Sequence, residues 1–361
     1  MDLSATARPR VLIPARSLPS QFSLPDLLVE RGCEVVTYPT GDAEALEAEL
    51  SQADILVTSP AVRSRVDRAL LAQAPRLRAA NSMVIGIEMI EVPDCTEAGI
   101  VVGNGAVAEN YLGVAEATVM LMVALSLDLK AKERVTRAGL GRLAMTRAAL
   151  LRGRTVGLIG LGRIGRAVCQ RLQGWDVRLV VYDPYIGAND LPPGVAPRDL
   201  PDLLRESDMV SIHVALTSET RGLVGPTELA LMKPTAYLIN TARGGVVDEL
   251  ALAEALENGR LAGAAIDTWA TEPVSPDHQL FSVNSDRTIL TGHAVGHSAR
   301  LQDELVLAAV ENITRELRGE LPLYVVNPEV APRWRARLTT LDQTREPPAN
   351  KTEHMPHATK A

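Results

Sequence analysis

Val156-Gly157-Leu158-Ile159-Gly160-Leu161-Gly162-Arg163-Ile164-Gly165 is the stretch whose reading decides the fold of this 361-residue chain. Its apolar half reads as a buried strand, its glycines as a tight turn, and the following Arg166 to Leu172 as a helix. A strand, a glycine turn and a helix in that order direct free backbone N–H groups and the helix dipole at an anion such as a pyrophosphate. Eighteen residues beyond Gly165, a second apolar run, Val177 to Tyr182, ends in Asp183. A carboxylate at that place accepts hydrogen bonds from an adenosine ribose. The hexapeptide alone would serve equally as a structural turn; with Asp183 it reads as a dinucleotide site.

Outward from this centre, short β-rich runs alternate with helical ones, the pattern of parallel sheets with crossover helices. Before the glycine turn, strands are expected at Val11 to Ile13, Glu34 to Tyr38, Asp54 to Ser59, Leu77 to Ile85 and Val101 to Val102, with helices over 24–31, 43–52 and 66–73. A long apolar helix is expected from Glu109 to Lys130, since Val114, Thr118, Leu121 and Leu125 recur at helical spacing. Beyond Asp183, 188–195 reads as a loop, and strands are expected over 208–214, 236–240, 262–267 and 288–291. A second long helix covers Ser298 to Leu317, and Leu323 to Val326 looks like a segment returning to the first domain. Open parallel sheets hold ligands at the carboxyl ends of their strands. The 58–62 and 83–86 loops are therefore the ones in the first half expected to face a cleft.

A chain of this length exceeds the roughly 250 to 300 residues at which single cores stop growing, so two domains are expected. The fold class is α/β, with two Rossmann-like domains, one flavodoxin-like and one NAD-binding, and a cleft between them. The boundaries are 1–104 with 297–330 for substrate, 105–296 for the cofactor, and a disordered tail over 331–361. A net charge of −7 without a long basic run argues against nucleic acid as a partner. Cys33, Cys95 and Cys169 are too widely spaced for a CxxC metal site and odd in number, which fits a reducing compartment and no metal. Met1 to Arg10 lacks the apolar core of a secretory signal, and no run approaches 18 apolar residues, so a cytoplasmic protein with no membrane partner is expected.

Three polar residues, Arg243, Glu272 and His293, each follow an apolar run in the second domain. An arginine at a strand end clamps a carboxylate with two parallel hydrogen bonds and polarises a neighbouring carbonyl. A histidine moves a proton near neutral pH, and a glutamate beside it orients the ring and favours its charged form. Together they suit hydride transfer between a nicotinamide and a 2-hydroxy or 2-keto acid. Spacing alone leaves other readings open: Arg243 as a surface cation, Glu272 as a turn residue before Pro273, and His297 as the histidine in place of His293.

At this point the chain resembles the D-isomer-specific 2-hydroxyacid dehydrogenases, which include glycerate, phosphoglycerate and formate dehydrogenases. The resemblance covers about residues 10 to 330. It is carried by Gly160 to Gly165 with Asp183, Ser211-Ile212-His213 through Thr220-Arg221-Gly222-Leu223, Asn240-Thr241-Ala242-Arg243-Gly244, Ala264-Ala265-Ile266-Asp267 through Glu272-Pro273, and Thr291-Gly292-His293. Val114-Ala115-Glu116 matches the start of the crossover helix and Val326-Asn327-Pro328-Glu329 the return to the first domain. The resemblance implies that Arg243 binds the substrate carboxylate and carbonyl, that His293 is the general acid/base, and that Glu272 is its partner. It implies an NAD site made by Gly160, Gly162, Arg163, Ile164, Gly165, Asp183, His213, Val214, Thr241, Ala242 and Arg243, with Asp267 beside the nicotinamide and His293 and Gly296 nearby. Ile85 and Gly86 resemble the loop whose amides hold the substrate carboxylate, and Asn110 a substrate-contacting position of the formate branch. Relatives are typically homodimers joined through the cofactor domain.

Asp183 is followed by Pro184, Tyr185 and Ile186, with no arginine for a 2′-phosphate, so NAD is expected over NADP. The chain departs from the family at Val84 (usually glycine), at Gly292 and at Ala215 (both usually proline). Val84 is expected to reshape the carboxylate site and Gly292 to loosen the backbone holding His293. Two alternative functions accompany the main one. The first is a non-catalytic NADH-sensing protein similar to the transcriptional corepressors of the family. The second is a formate-type dehydrogenase, against which Glu272 argues, since that branch carries Gln there.

Overall fold

The computed structural model describes residues 8–15, 20–40, 42–59, 64–141 and 148–344. The chain forms two compact units, one built from the chain up to Val107 and from Ala299 onward, the other from Ala108 to Ser298.

The first unit opens with β1 (Arg10–Pro14), α1 (Leu24–Glu30), β2 (Glu34–Tyr38), α2 (Ala43–Leu50), β3 (Ile55–Thr58), α3 (Arg68–Ala72), β4 (Ala79–Ser82), α4 (Val92–Glu97) and β5 (Val101–Gly103). The five strands are all parallel in the order β2-β1-β3-β4-β5, with Val11 opposite both Val35 and Ile55. This is the flavodoxin-like order. Strands covered on both faces read as unbroken apolar runs, as Val11-Leu12-Ile13 and Ile55-Leu56-Val57 do. Helices begin where a side-chain oxygen takes up an orphan N–H: Ser23 accepts from Asp26, Asp42 from Ala45, and Asp67 from Ala69 and Leu70. The 58–62 loop expected at the ligand end falls partly, from residue 60, outside the described residues.

The second unit begins with α5 (Ala108–Ser126) and α6 (Leu129–Arg137) where one helix was expected. Asp128 breaks the run by taking a left-handed backbone, φ +51°. By length and composition alone α5 could cross a membrane, although Glu109 and Glu116 interrupt its apolar run. Its Ala115, Leu121, Met122 and Leu125 are instead packed in the core of this unit. Then come β6 (Thr155–Ile159), α7 (Arg163–Leu172), β7 (Arg178–Tyr182), β8 (Val195–Pro197), α8 (Leu200–Glu206), β9 (Met209–Ile212), α9 (Pro226–Leu231), β10 (Tyr237–Asn240), α10 (Glu249–Glu257), β11 (Gly263–Ile266) and β12 (Thr288–Leu290). The sheet is again wholly parallel, ordered β12-β11-β10-β9-β6-β7-β8. Its order reverses at β6 and β9, the switch point at which a Rossmann sheet takes its dinucleotide. β8 begins at Val195, the last residue of the segment read as loop; it is a three-residue edge strand ending in Pro197, which an edge tolerates.

The chain returns to the first unit through α11 (Ala299–Leu317) and α12 (Ala331–Thr344), with Val325 bridging antiparallel to Gly103. α12 corrects the expectation of a disordered tail from 331. Trp334 is buried and its Nε1 donates to Arg78 O at 2.8 Å, while Arg337 donates to Leu77 O at 2.7 Å and Pro75 O at 3.0 Å. Trp334 and Leu338, one turn apart, join the core of the first unit, and the indole and the guanidinium tie the helix to carbonyls far back in the chain. Residues 345–361, the rest of that tail, lie outside the described residues.

Candidate active site

β6 delivers the chain into the glycine turn, and sterics explain two of its three glycines. Gly160 has φ +95°, and a Cβ on it would stand 2.7 Å from His213 O; a Cβ on Gly165 would stand 2.4 Å from Gly160 O. Any side chain at either place forces the backbone apart. Gly162 caps α7 without a side chain, and nothing lies within 4 Å of where its Cβ would be. The N–H groups of Ile164 and Gly165, in the first helical turn, have no acceptor among the described residues. Unpaired amides at an uncapped N-terminus make an anion seat. Arg163 lies with its guanidinium 5.9 Å from the Tyr111 ring centroid.

Asp183 stands at the carboxyl end of β7 beside this turn. Its Oδ2 accepts from Leu161 N at 2.8 Å and its Oδ1 from Tyr185 N at 3.0 Å. Each oxygen keeps a second lone pair for a ligand hydroxyl. His213 follows β9 and donates its N–H to Ile159 O at 2.7 Å. Its Nε2 is shielded from solvent without a partner among the described residues, and burial pushes the imidazole down to about 4, so the ring is neutral near pH 7. Val214 packs against the turn, its Cγ1 2.8 Å from the position of a Gly160 Cβ. At the end of β10, Thr241 Oγ1 meets Thr118 Oγ1 of α5 at 3.0 Å. Asn240 clamps the corner, accepting from Ala242 N at 3.1 Å and donating to Arg243 O at 2.9 Å.

Arg243, Glu272 and His293 follow β10, β11 and β12, three neighbouring strands, so the topology brings them to one edge of the sheet. Arg243 is half-buried and extended, with Nη1 donating to Ala242 O at 2.7 Å. His293 Nδ1 lies 2.9 and 3.0 Å from the two oxygens of Glu272. A carboxylate only accepts, so Nδ1 carries the proton, which leaves Nε2 for a reactant. Both side chains are about two-fifths exposed, 42% and 40%, open enough for a ligand to reach. Of the two histidines, His293 is the one bonded to Glu272 among the described residues.

His293 has φ +56°, a left-handed conformation uncommon outside glycine and held only where the surroundings enforce it. The enforcement comes from Asp267. Its carbonyl accepts from His293 N at 2.6 Å, and its buried Oδ1 accepts from Thr291 Oγ1 at 2.6 Å, Ala294 N at 3.0 Å and Val295 N at 3.2 Å. The backbone that Gly292 was expected to loosen is therefore braced from β11. Gly296 packs against Val114 of α5.

Asn110 is half-buried in the first turn of α5, and its amide makes no hydrogen bond among the described residues. In the first unit, Ile85 and Gly86 follow β4. Their carbonyls are occupied, Ile85 O by Asn104 Nδ2 at 2.9 Å and Gly86 O by Ser82 Oγ at 2.5 Å. Their N–H groups have no acceptor among the described residues, which suits a carboxylate. Val84, expected to reshape this loop, packs against the cluster of Val107, Leu301, Leu305 and Ala308. Thr118, Asn240 and Thr291 stand in the sequence only as members of a helical pattern or a motif; the pairing of elements gives them their supporting roles.

A family profile for the NAD binding domain of D-isomer specific 2-hydroxyacid dehydrogenases matches residues 119–295. The chain is 35% identical to a glyoxylate reductase of Thermofilum pendens over 90% of its own length and 96% of the relative's. A glyoxylate reductase of Aeropyrum pernix is 36% identical, with 90% and 97% covered. The crystal structure of a glyoxylate reductase from Paecilomyes thermophila superposes with a TM-score of 0.79 at 26% identity, covering 89% of this chain and 99% of that one. The chain belongs to the D-isomer-specific 2-hydroxyacid dehydrogenase family, the NAD-binding oxidoreductases that act on 2-hydroxy and 2-keto acids.

Proposed function

We propose that the protein reduces a short 2-keto acid of the glyoxylate class to the D-2-hydroxy acid, with Arg243, Glu272 and His293 as its chemical machinery. The observation that carries this is the Glu272–His293 pair, 2.9 Å apart at the carboxyl edge of a Rossmann sheet, with Arg243 two strands away. The uncapped start of α7 and the Gly160 and Gly165 cradle fit a pyrophosphate, and Asp183 fits a ribose diol. A bound nicotinamide dinucleotide supplies the hydride. Arg243 holds the substrate carboxylate and polarises the carbonyl. His293 Nε2 delivers a proton to the carbonyl oxygen and takes it back in oxidation, while Glu272 keeps the ring oriented through Nδ1.

Asp183 without a neighbouring arginine favours NAD over its 2′-phosphorylated form. A homodimer through the cofactor unit and a cytoplasmic setting complete the reading, both by likeness to relatives. The test is steady-state turnover of purified protein with NADH and a panel of short 2-keto acids. Turnover is expected, and His293→Asn lowers it about a hundred- to ten-thousand-fold, the usual worth of a general acid, while leaving NADH binding intact. Tight NADH binding with no turnover on any keto acid would sink the enzymatic reading and leave an NADH-binding sensor.

A further inference from the structure

Trp269 bonds to Glu272 directly and meets the chain beside Arg243 and beside His293, each through different atoms. Its backbone N–H donates to Glu272 Oε1 at 3.0 Å. Its indole N–H donates to Thr291 O at 2.7 Å, two residues before His293. Its carbonyl carbon lies 1.9 Å from where a Cβ on Gly244 would be, so only glycine after Arg243 lets the two backbones pass. The ring is buried, 6% exposed, edge-on to His278 at 5.0 Å and tilted against Phe281 at 5.7 Å.

A second layer fastens it. His278 Nδ1 accepts from Leu280 N at 3.3 Å, so its proton sits on Nε2, which donates to Glu249 Oε2 at 2.8 Å. Glu249 Oε1 in turn accepts from Ala270 N at 2.7 Å. The Glu249 and His278 side chains are only 10% and 13% exposed, so water competes weakly for these bonds. The peptide after Trp269 is thereby held against Gly244 on one side and by Glu249 on the other.

We infer that Trp269, latched by Glu249 and His278, is a positioning residue that sets the register of Arg243, Glu272 and His293. The inference rests on the assignment of those three residues made above. Reacting groups displaced by about 1 Å lose up to about a hundredfold in rate, so a residue that fixes Glu272 and the backbone next to Arg243 and His293 controls kcat through their placement.

The experiment compares Trp269→Phe, Glu249→Ala and Glu249→Gln with wild type in NADH-dependent keto acid reduction. Phe keeps the ring and the bond to Glu272 but loses the bond to Thr291. Ala removes both acceptors from Glu249, whereas Gln keeps one carbonyl oxygen for Ala270. Trp269→Phe and Glu249→Ala are expected to lower kcat about ten- to a hundredfold, with the NADH dissociation constant unchanged and a larger isotope effect from 4-deuterated NADH. Glu249→Gln, which keeps the acceptor for Ala270 N but sets a donor against the His278 Nε2–H, recovers part of the loss. Should Trp269→Phe fail to fold, the Glu249 pair decides alone. Wild-type kcat in Trp269→Phe and Glu249→Ala, or NADH affinity falling in step with kcat, overturns the inference. His293→Asn in the same series separates the two ideas: full activity there removes the site assignment itself, whereas its inactivity beside unaffected Trp269 and Glu249 variants removes only the latch.

Discussion

Replacing Glu316 by glutamine is expected to stabilise this protein, and to do so increasingly as the pH rises. Glu316 is fully buried near the end of α11, where burial lifts its carboxyl from 4.5 to about 8, opposed only by the bond it accepts from Asn81 Nδ2 at 2.8 Å. Its Oε1 and the Asn81 Oδ1 are both buried with no partner among the described residues. A proton on the carboxyl turns one of two orphan acceptors into a donor. Between pH 4.5 and about 8 the folded state then holds one proton more than the unfolded chain, which has released it. Unfolding free energy therefore falls as pH rises, by about 1.4 kcal/mol per unit, or about 5 kcal/mol over the interval. Glutamine has the shape and the donor of the protonated acid and never ionises. The free-energy gap between Glu316→Gln and wild type, read from urea unfolding at several pH values from 5 to 8.5, should widen at that slope, to about 3 kcal/mol at pH 7. Using the difference cancels every other titrating group. Parallel curves, or a variant less stable than wild type at pH 8, would refute the buried proton.

His213 gives the opposite slope. Its imidazole is held down from 6.5 to about 4, so below pH 6.5 the unfolded chain takes up a proton that the fold refuses, and about 3 kcal/mol is lost by pH 4. In His213→Gln this acid-side loss should vanish from the unfolding profile; its persistence would show that the ring is not the group responsible. Gly165→Ala brings a methyl to 2.4 Å from Gly160 O and should raise the NADH dissociation constant about tenfold or more, measured by NADH fluorescence; unchanged binding would take the pyrophosphate away from α7. For Asp183→Ala, the ratio of kcat/KM with NADH to that with NADPH should drop toward one, and unchanged selectivity would count against the ribose contact.

What the sequence could carry was whatever is encoded within a few neighbouring residues. Runs such as Val11 to Ile13 and Gly157 to Ile159, set between helical patterns, implied parallel α/β sheets. The glycine turn is legible because Gly160 and Gly165 answer local steric demands, and Asp183 because the strand that places it is short and uninterrupted. Arg243, Glu272 and His293 could be picked out as strand-end residues, but from spacing alone His297 was as good as His293. The folded edge adds what spacing lacks: the order of β10, β11 and β12 aligns three loops distant in sequence, and Glu272 bonds to the imidazole of His293.

The same holds for what was misread. α12 looked disordered because its docking depends on Trp334 and Arg337 reaching carbonyls some 250 residues earlier in the chain. The helix expected through Lys130 breaks at Asp128, whose left-handed backbone has no marker in composition. Asp267 was legible only as a residue beside a cofactor, yet the fold sets its carboxylate to brace the left-handed His293. Periodicity and motifs report what a segment needs from its immediate neighbours. Bonds such as Asp267 to the 291–295 loop, or Trp269 to Thr291, join segments whose proximity depends on sheet order, and that order is settled by the packing of the whole unit.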